Sequence, residues 1–272
     1  MKLQILLSAS CLLGQSGLAT ELGSSSEAGA TTAPSAQDSC VEMVNAGIAN
    51  DHFLKVAADY YRISLENNNE ACSQLLVKLE ETKTMSLRRT GLVDLTGVQW
   101  LTGASYLKLS QNRIENIDAL SEMDKLESLD ISRNRITDLS PLRRLSHLSS
   151  LRAGDNGLSS LVGVEGLTNL SYLSIARNQV SDLSHLESLE NLEVLAIGDN
   201  QVTDLSPIAN LKNLKTVTLA FNRICDSSQQ ELANDLIERG VDVVGLDYQE
   251  CPAEPEVEEK PETDVDHQST EA

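Results

Sequence analysis

Six asparagines recur every 22 residues: Asn112, Asn134, Asn156, Asn178, Asn200 and Asn222. The frame around them recurs too, as "YLKLSQNRI", "SLDISRNRI", "SLRAGDNGL", "YLSIARNQV", "VLAIGDNQV" and "TVTLAFNRI". Chance does not produce six matches in register, so the chain must stack like coils, each resting on its neighbours. A degenerate earlier copy fits the same frame. Leu87, Leu92, Leu95, Val98 and Leu101 lie 22 residues before Leu109, Ile114, Ile117, Leu120 and Met123.

One coil shows what the frame does. In "LESLDISRNRI", Leu126, Leu129, Ile131 and Ile136 read as inward, with Ser128, Asp130 and Ser132 alternating outward, as in a strand. Leu139, Leu142 and Leu145 then recur every third residue, which suits a short 3₁₀ or irregular return rather than a long helix. Between them the chain must turn out of the strand over a dry core, where its backbone polar groups have no regular partner. An asparagine amide both donates and accepts, so it can serve its own coil and the next. The six are expected to form an internal structural ladder, not a row of catalytic or sugar-binding amides. None has Ser or Thr two positions on, as a glycan site would need.

Composition agrees with a thin, repetitive core: 40% of residues are hydrophobic but only 3% aromatic. The net charge of −20 speaks against sequence-independent nucleic-acid binding and against docking on an anionic membrane. That charge is uneven, because residues 227–272 carry 14 acidic and 2 basic groups. "MKLQILLSASCLLGQSGLA" reads as an export signal, with Lys2, an apolar run from Leu3 to Gly14 and small residues at Gly17-Leu18-Ala19. An ordinary buried helix is the alternative, and Ser8-Ala9-Ser10-Cys11 raises lipid anchoring at Cys11. No segment has the roughly 20 apolar residues of a membrane span.

Around the coils the expected organisation is a signal at 1–19, a disordered linker at 20–37 and a helical N-terminal cap at 38–84. Repeats follow over 85–226, then a C-terminal cap at 227–251 and a disordered acidic tail at 252–272. In the first cap Asp51 is the candidate N-cap. Phe53, Val56, Ala57, Tyr60 and Ile63 share one helix face, and Cys72, Leu75, Leu76 and Leu79 share another. In the second, Ser228-x-x-Glu231 has capping-box spacing, Gly240 suits the C′ position and Val241 to Leu246 reads as an edge strand. Cys40 and Cys72 bracket the first cap, Cys225 and Cys251 the second, and an even count in an exported chain suggests disulfides within each. Cross-pairing would need ends roughly 25 Å apart, at ~4.8 Å per coil, to meet.

The period is that of leucine-rich repeats. Through "DLSPLRRLSHL" and "DLSPIANLKNL" joined to the LxLxxNxI frame, the chain from Leu87 to Asp226 resembles 22-residue repeats of the internalin type. That resemblance implies an exported bacterial protein that binds host surface proteins on a concave face. The sequence departs from the family after the repeats, where no immunoglobulin-like domain or LPxTG motif is read. The repeats equally resemble the leucine-rich regulatory subunit of protein phosphatase 1, an intracellular scaffold, which conflicts with the signal and the cysteines. The fold expected is an α/β solenoid: a leucine-rich-repeat arc with a parallel concave sheet, a helical N-terminal cap and an αβ C-terminal cap.

No catalytic constellation, cofactor loop or metal set is read. His52, His147, His185 and His267 are scattered, and no C-x-x-C occurs. The "GDN" triplets at Gly154 and Gly198 sit where other coils have Ser110, Ser132, Ala176 and Ala220, so they read as coil geometry. What remains is the outward strand face. Coil by coil its variable positions are Tyr106, Lys108, Gln111; Ser128, Asp130, Arg133; Ser150, Arg152, Asp155; Tyr172, Ser174, Arg177; Val194, Ala196, Asp199; and Thr216, Thr218, Phe221. The candidate ligand-binding set is Tyr106, Lys108, Asp130, Arg133, Arg152, Asp155, Tyr172, Arg177, Asp199 and Phe221, because exposed aromatics beside arginine are typical interface anchors. The expected partner is a protein or peptide bound by a monomer. The expectation is a non-enzymatic module that needs no cofactor and, after signal cleavage, is secreted, periplasmic or at the cell surface.

Overall fold

The computed structural model describes residues 52–64 and 69–251. The segments expected to be a signal, a linker and an acidic tail, with Asp51 and Cys40, lie outside them.

Eight three-residue strands form one parallel sheet in chain order: β1 (Thr84–Ser86), β2 (Tyr106–Lys108), β3 (Ser128–Asp130), β4 (Ser150–Arg152), β5 (Tyr172–Ser174), β6 (Val194–Ala196), β7 (Thr216–Thr218) and β8 (Asp242–Val244). From β1 to β7 each residue faces the one 22 positions on, so Met85, Leu107, Leu129, Leu151, Leu173, Leu195 and Val217 form one inward column. The last pairing stretches, with Thr216 facing Asp242. The strands are short because a coil has only one turn to spend before its backbone must cross the core. Most returns on the back are 3₁₀ segments such as Ser140–Arg144, and one is a single α turn, α3 (Ser206–Ala209). The result is the leucine-rich-repeat solenoid arc, with the sheet on its concave side.

The core is a column of aliphatic layers. Leu126, Leu129, Ile131, Ile136, Leu139, Leu142 and Leu145 of one coil are all buried, each side chain contributing roughly 1.5–3 kcal/mol on leaving water. Aromatics would overfill so thin a layer, and Phe53, in the cap, is the one fully buried aromatic ring among the described residues. The coils also fit closely backbone to backbone. Gly163 has φ +101, and a Cβ there would lie 2.6 Å from the Leu139 carbonyl oxygen of the preceding coil.

Two helices, α1 (His52–Tyr61) and α2 (Asn69–Glu81), cover the first coil. The expected faces hold except at Tyr60, which is 49% exposed. Tyr61 turns inward instead and its hydroxyl shares a hydrogen bond with that of Thr82. The helix also stops earlier than its apolar pattern suggests. Arg62 takes a left-handed φ of 57, and the Ile63 N–H donates to the Ala58 carbonyl, a Schellman stop.

At the other end α4 (Ser227–Glu238) packs Ala233 and Leu236 under the last coil and feeds β8. Its N-cap is Asp226, not the Ser228 suggested by capping-box spacing, and the Asp226 carboxylate accepts the Ser228 N–H at 2.8 Å. Gly240 does sit at C′, with φ 87 and the Val241 N–H bonded to the Leu236 carbonyl. Cys225 and Cys251 form a disulfide with Cα atoms 5.6 Å apart. Cys72 is disulfide-bonded as well, while its expected pairing with Cys40 falls outside the described residues.

Hydrogen bonds from Ser228 hold the Asp226 carboxyl below the ordinary 3.8. A lowered folded-state pKa gives stability that is present above that ordinary value and is lost as pH falls through the folded one. Protection of the first-turn amides of α4, relative to their intrinsic exchange rates, is therefore expected to fall below about pH 4. Asp226→Asn, which caps without titrating, is expected to remove that pH dependence; an identical acid response in the variant would refute it.

Candidate functional site

The ladder asparagines act as bridges. Each Oδ1 accepts the N–H two positions after the preceding coil's ladder residue, as Asn156 does from Ile136 at 3.0 Å. Each Nδ2 donates to at least two carbonyls, for Asn156 those of Ile131 at 3.1 Å and Ala153 at 3.0 Å, with Gly154 a longer third at 3.4 Å. Asn112, Asn134, Asn178, Asn200 and Asn222 repeat the pattern. Burial deepens along the row, from half-buried Asn112 to fully buried Asn222. At the C-terminal end a residue missed by the 22-residue period takes the role. Gln249 Oε1 accepts the Ile224 N–H, and its Nε2 donates to the Leu219 and Gly245 carbonyls.

Each residue just before a ladder asparagine is left-handed. Gln111, Arg133, Asp155, Arg177, Asp199 and Phe221 have φ between 56 and 62, as does Arg89 in the first coil. None is glycine or asparagine, the residues that take this conformation most readily. The turn aims these side chains along one row beside the strands. There Arg133 pairs with Asp155 at 3.5 Å and Arg177 with Asp199 at 3.6 Å. The aspartates of the "GDN" triplets are thus partners for the preceding coil's arginine. Pairs this exposed contribute under about 1 kcal/mol.

The strands bring the other candidates into two columns. One runs Tyr106, Ser128, Ser150, Tyr172, Val194, Thr216; the other runs Lys108, Asp130, Arg152, Ser174, Ala196, Thr218. Asp130 therefore lies between Lys108 and Arg152, where its carboxylate also accepts from Ser132. Tyr172 is half-buried, because the Arg152 guanidinium lies 4.5 Å above its ring centroid. Tyr106 stays 46% exposed, and its hydroxyl donates to Glu127 at 3.1 Å, which raises the phenol pKa above its ordinary 10.0. The face is thus cationic around Lys108 and Arg152 and largely uncharged from Val194 to Thr218. Phe221, 52% exposed, meets a second exposed ring that sequence reading passed over, Tyr248 of the cap, with centroids 6.3 Å apart.

Among the described residues no three His, Cys, Asp or Glu side chains gather to hold a metal. His147 lies on the back, bonded to the Asp124 carbonyl, and His185 lies beside Ser184. No helix among them is long and apolar enough to cross a membrane.

A family model described as leucine-rich repeats, two copies, matches residues 105–144 and 190–234. An internalin of Listeria monocytogenes, InlF, is 27% identical over 68% of this chain and 53% of its own, with a TM-score of 0.59. Internalin C2 of the same organism is 31% identical over 65% of this chain and 84% of its own, with a TM-score of 0.51. A leucine-rich-repeat protein of Leptospira interrogans shares the fold at 17% identity, with a TM-score of 0.54. The chain spans about half the length of the first of these. No curated protein matches it.

Proposed function

This chain belongs to the leucine-rich-repeat proteins of the internalin type, and from that premise we propose that it is an exported, non-enzymatic module that binds another protein on its concave sheet. The observation that carries this reading is the chemistry of the outward columns. Cations, a stacked Tyr172–Arg152 pair and exposed aromatics share one face of the sheet, whereas the back is made mainly of short 3₁₀ returns. Aromatic and arginine side chains on a preorganised face are what interfaces use as anchors. A covalently clamped C-terminal cap fits an oxidising compartment.

Export is tested by intact mass of the protein from its native source, with loss of about 19 residues and oxidised thiols as the expected result. An uncleaved, fully reduced chain would end the exported reading and leave the intracellular scaffold. Binding is tested on the partner recovered with the purified repeats. Tyr172→Ala combined with Arg152→Ala is expected to cost about 2 kcal/mol, roughly thirtyfold in affinity. Both side chains are at the surface, so a matched melting curve separates lost binding from lost folding. An unchanged affinity would place function on another surface.

A further inference from the structure

Phe221 and Tyr248 form an exposed aromatic pair at the C-terminal end of the sheet, 52% and 64% exposed, with ring planes tilted by 41°. Phe221 holds its place in the left-handed region at φ 58. A bulky aromatic there is an outlier where glycine or asparagine would sit with less strain. The turn imposes this φ on every coil, so what sets Phe221 apart is an exposed ring where the other coils carry Gln, Arg or Asp. One cation, Arg223, lies two residues after Phe221 and donates to Gln201, and three acids belong to this end of the sheet. Asp242 follows Thr216 in the outward column, and Asp247 and Glu250 flank Tyr248 in sequence. All three are exposed, and none makes an ion pair among the described residues. Ring faces and carboxylates both attract a cation, and the planar guanidinium also stacks.

We infer that this pair is the docking point for an arginine side chain presented by the partner protein. The inference rests on the binding reading above and names the chemistry of one contact within it. The site lies across the joint between the last repeat and the cap, so the cap takes part in recognition as well as covering the solenoid's end.

The probe is a blocked Leu-Arg-Leu tripeptide, with Leu-citrulline-Leu as its neutral isostere, titrated into the intact protein and followed through the Phe221 and Tyr248 ring resonances. Saturable shifts with the arginine peptide are expected. Citrulline, Tyr248→Ala or Asp242→Asn with Asp247→Asn should each weaken binding at least tenfold. Phe221→Asn is expected to keep or raise the melting temperature while losing the peptide, a combination that a purely structural ring would not give. Equal binding of the citrulline peptide would make this an apolar site, and concentration-dependent shifts without peptide would make the occupant a second copy; either overturns the inference. If Tyr172→Ala with Arg152→Ala abolishes partner capture but Tyr248→Ala leaves it intact, the sheet reading stands and this one fails. If neither matters, both fail.

Discussion

Asn222→Leu is expected to lower the melting temperature by about 6–12 °C, while Ser150→Leu changes it by no more than about 2 °C. Asn222 is fully buried. Its Oδ1 accepts the Val202 N–H at 3.0 Å, and its Nδ2 donates to the Ile197 and Leu219 carbonyls at 3.0 and 2.9 Å. Leucine supplies neither donor nor acceptor, so three backbone groups lose their partner in a dry layer. At about 1 kcal/mol or more for each orphaned group, the loss is about 3 kcal/mol, and chains of this size lose about 2–4 °C per kcal/mol. Ser150 sits outward in β4 between Ser128 and Tyr172, where a substitution changes stability by about 0.5 kcal/mol or less. Asn112→Leu is expected to fall between them, because that amide is half-buried and water can replace part of its work. Thermal melts of the three variants check the order. Equal losses at Asn222 and Ser150 would mean that the inward and outward faces have been exchanged.

Legibility tracked the period. The buried layers, the ladder and the outward columns that repeat at 22 residues are readable, because six copies fix the register and the strand alternation then assigns each side chain to a face. The pairing of Lys108 with Asp130 and Arg152 in one column follows from that alone. What escaped is what occurs once. Gln249 does the ladder's work 27 residues after Asn222, from a longer side chain on a cap with its own geometry, so no spacing points to it. Tyr248 escaped for the same reason. The α4 start was misassigned because Asp226 and Ser228 are both competent caps, and only the path of the chain after Ile224 decides between them. Tyr60 and Tyr61 are chemically alike and adjacent, and a helix that ends early at Arg62 selects which one faces the core. Tyr172 was rightly placed outward, but its cover by Arg152 depends on rotamers that a pattern of letters does not carry. The left-handed row was hidden as well, since Arg, Gln and Phe are poor signals for such a turn.

Cys251→Ser is expected to lower the melting temperature by on the order of 10 °C. The bond to Cys225 closes a loop over a sequence separation of 26, and restricting the unfolded chain over that length is worth about 3–4 kcal/mol. The loop contains all of α4 and β8, which cover the apolar end of the last coil. Its final residues also supply the hydrogen bonds that finish the sheet. Phe221 N–H donates to the Tyr248 carbonyl, and the Glu250 N–H donates to the Asn222 carbonyl. Without the bond this edge frays first, because each coil is held only by its neighbours. A reductant is therefore expected to bring the unmodified protein and the variant to one common melting temperature, since it also opens the Cys72 bond in both. Equal melting of the oxidised and reduced protein would show that the cap holds itself without the bond. Combining Cys251→Ser with Asn222→Leu is expected to cost less than the sum of the two, since both loosen the same terminal interface. Strict additivity would mean that the cap and the last ladder amide unfold as separate units.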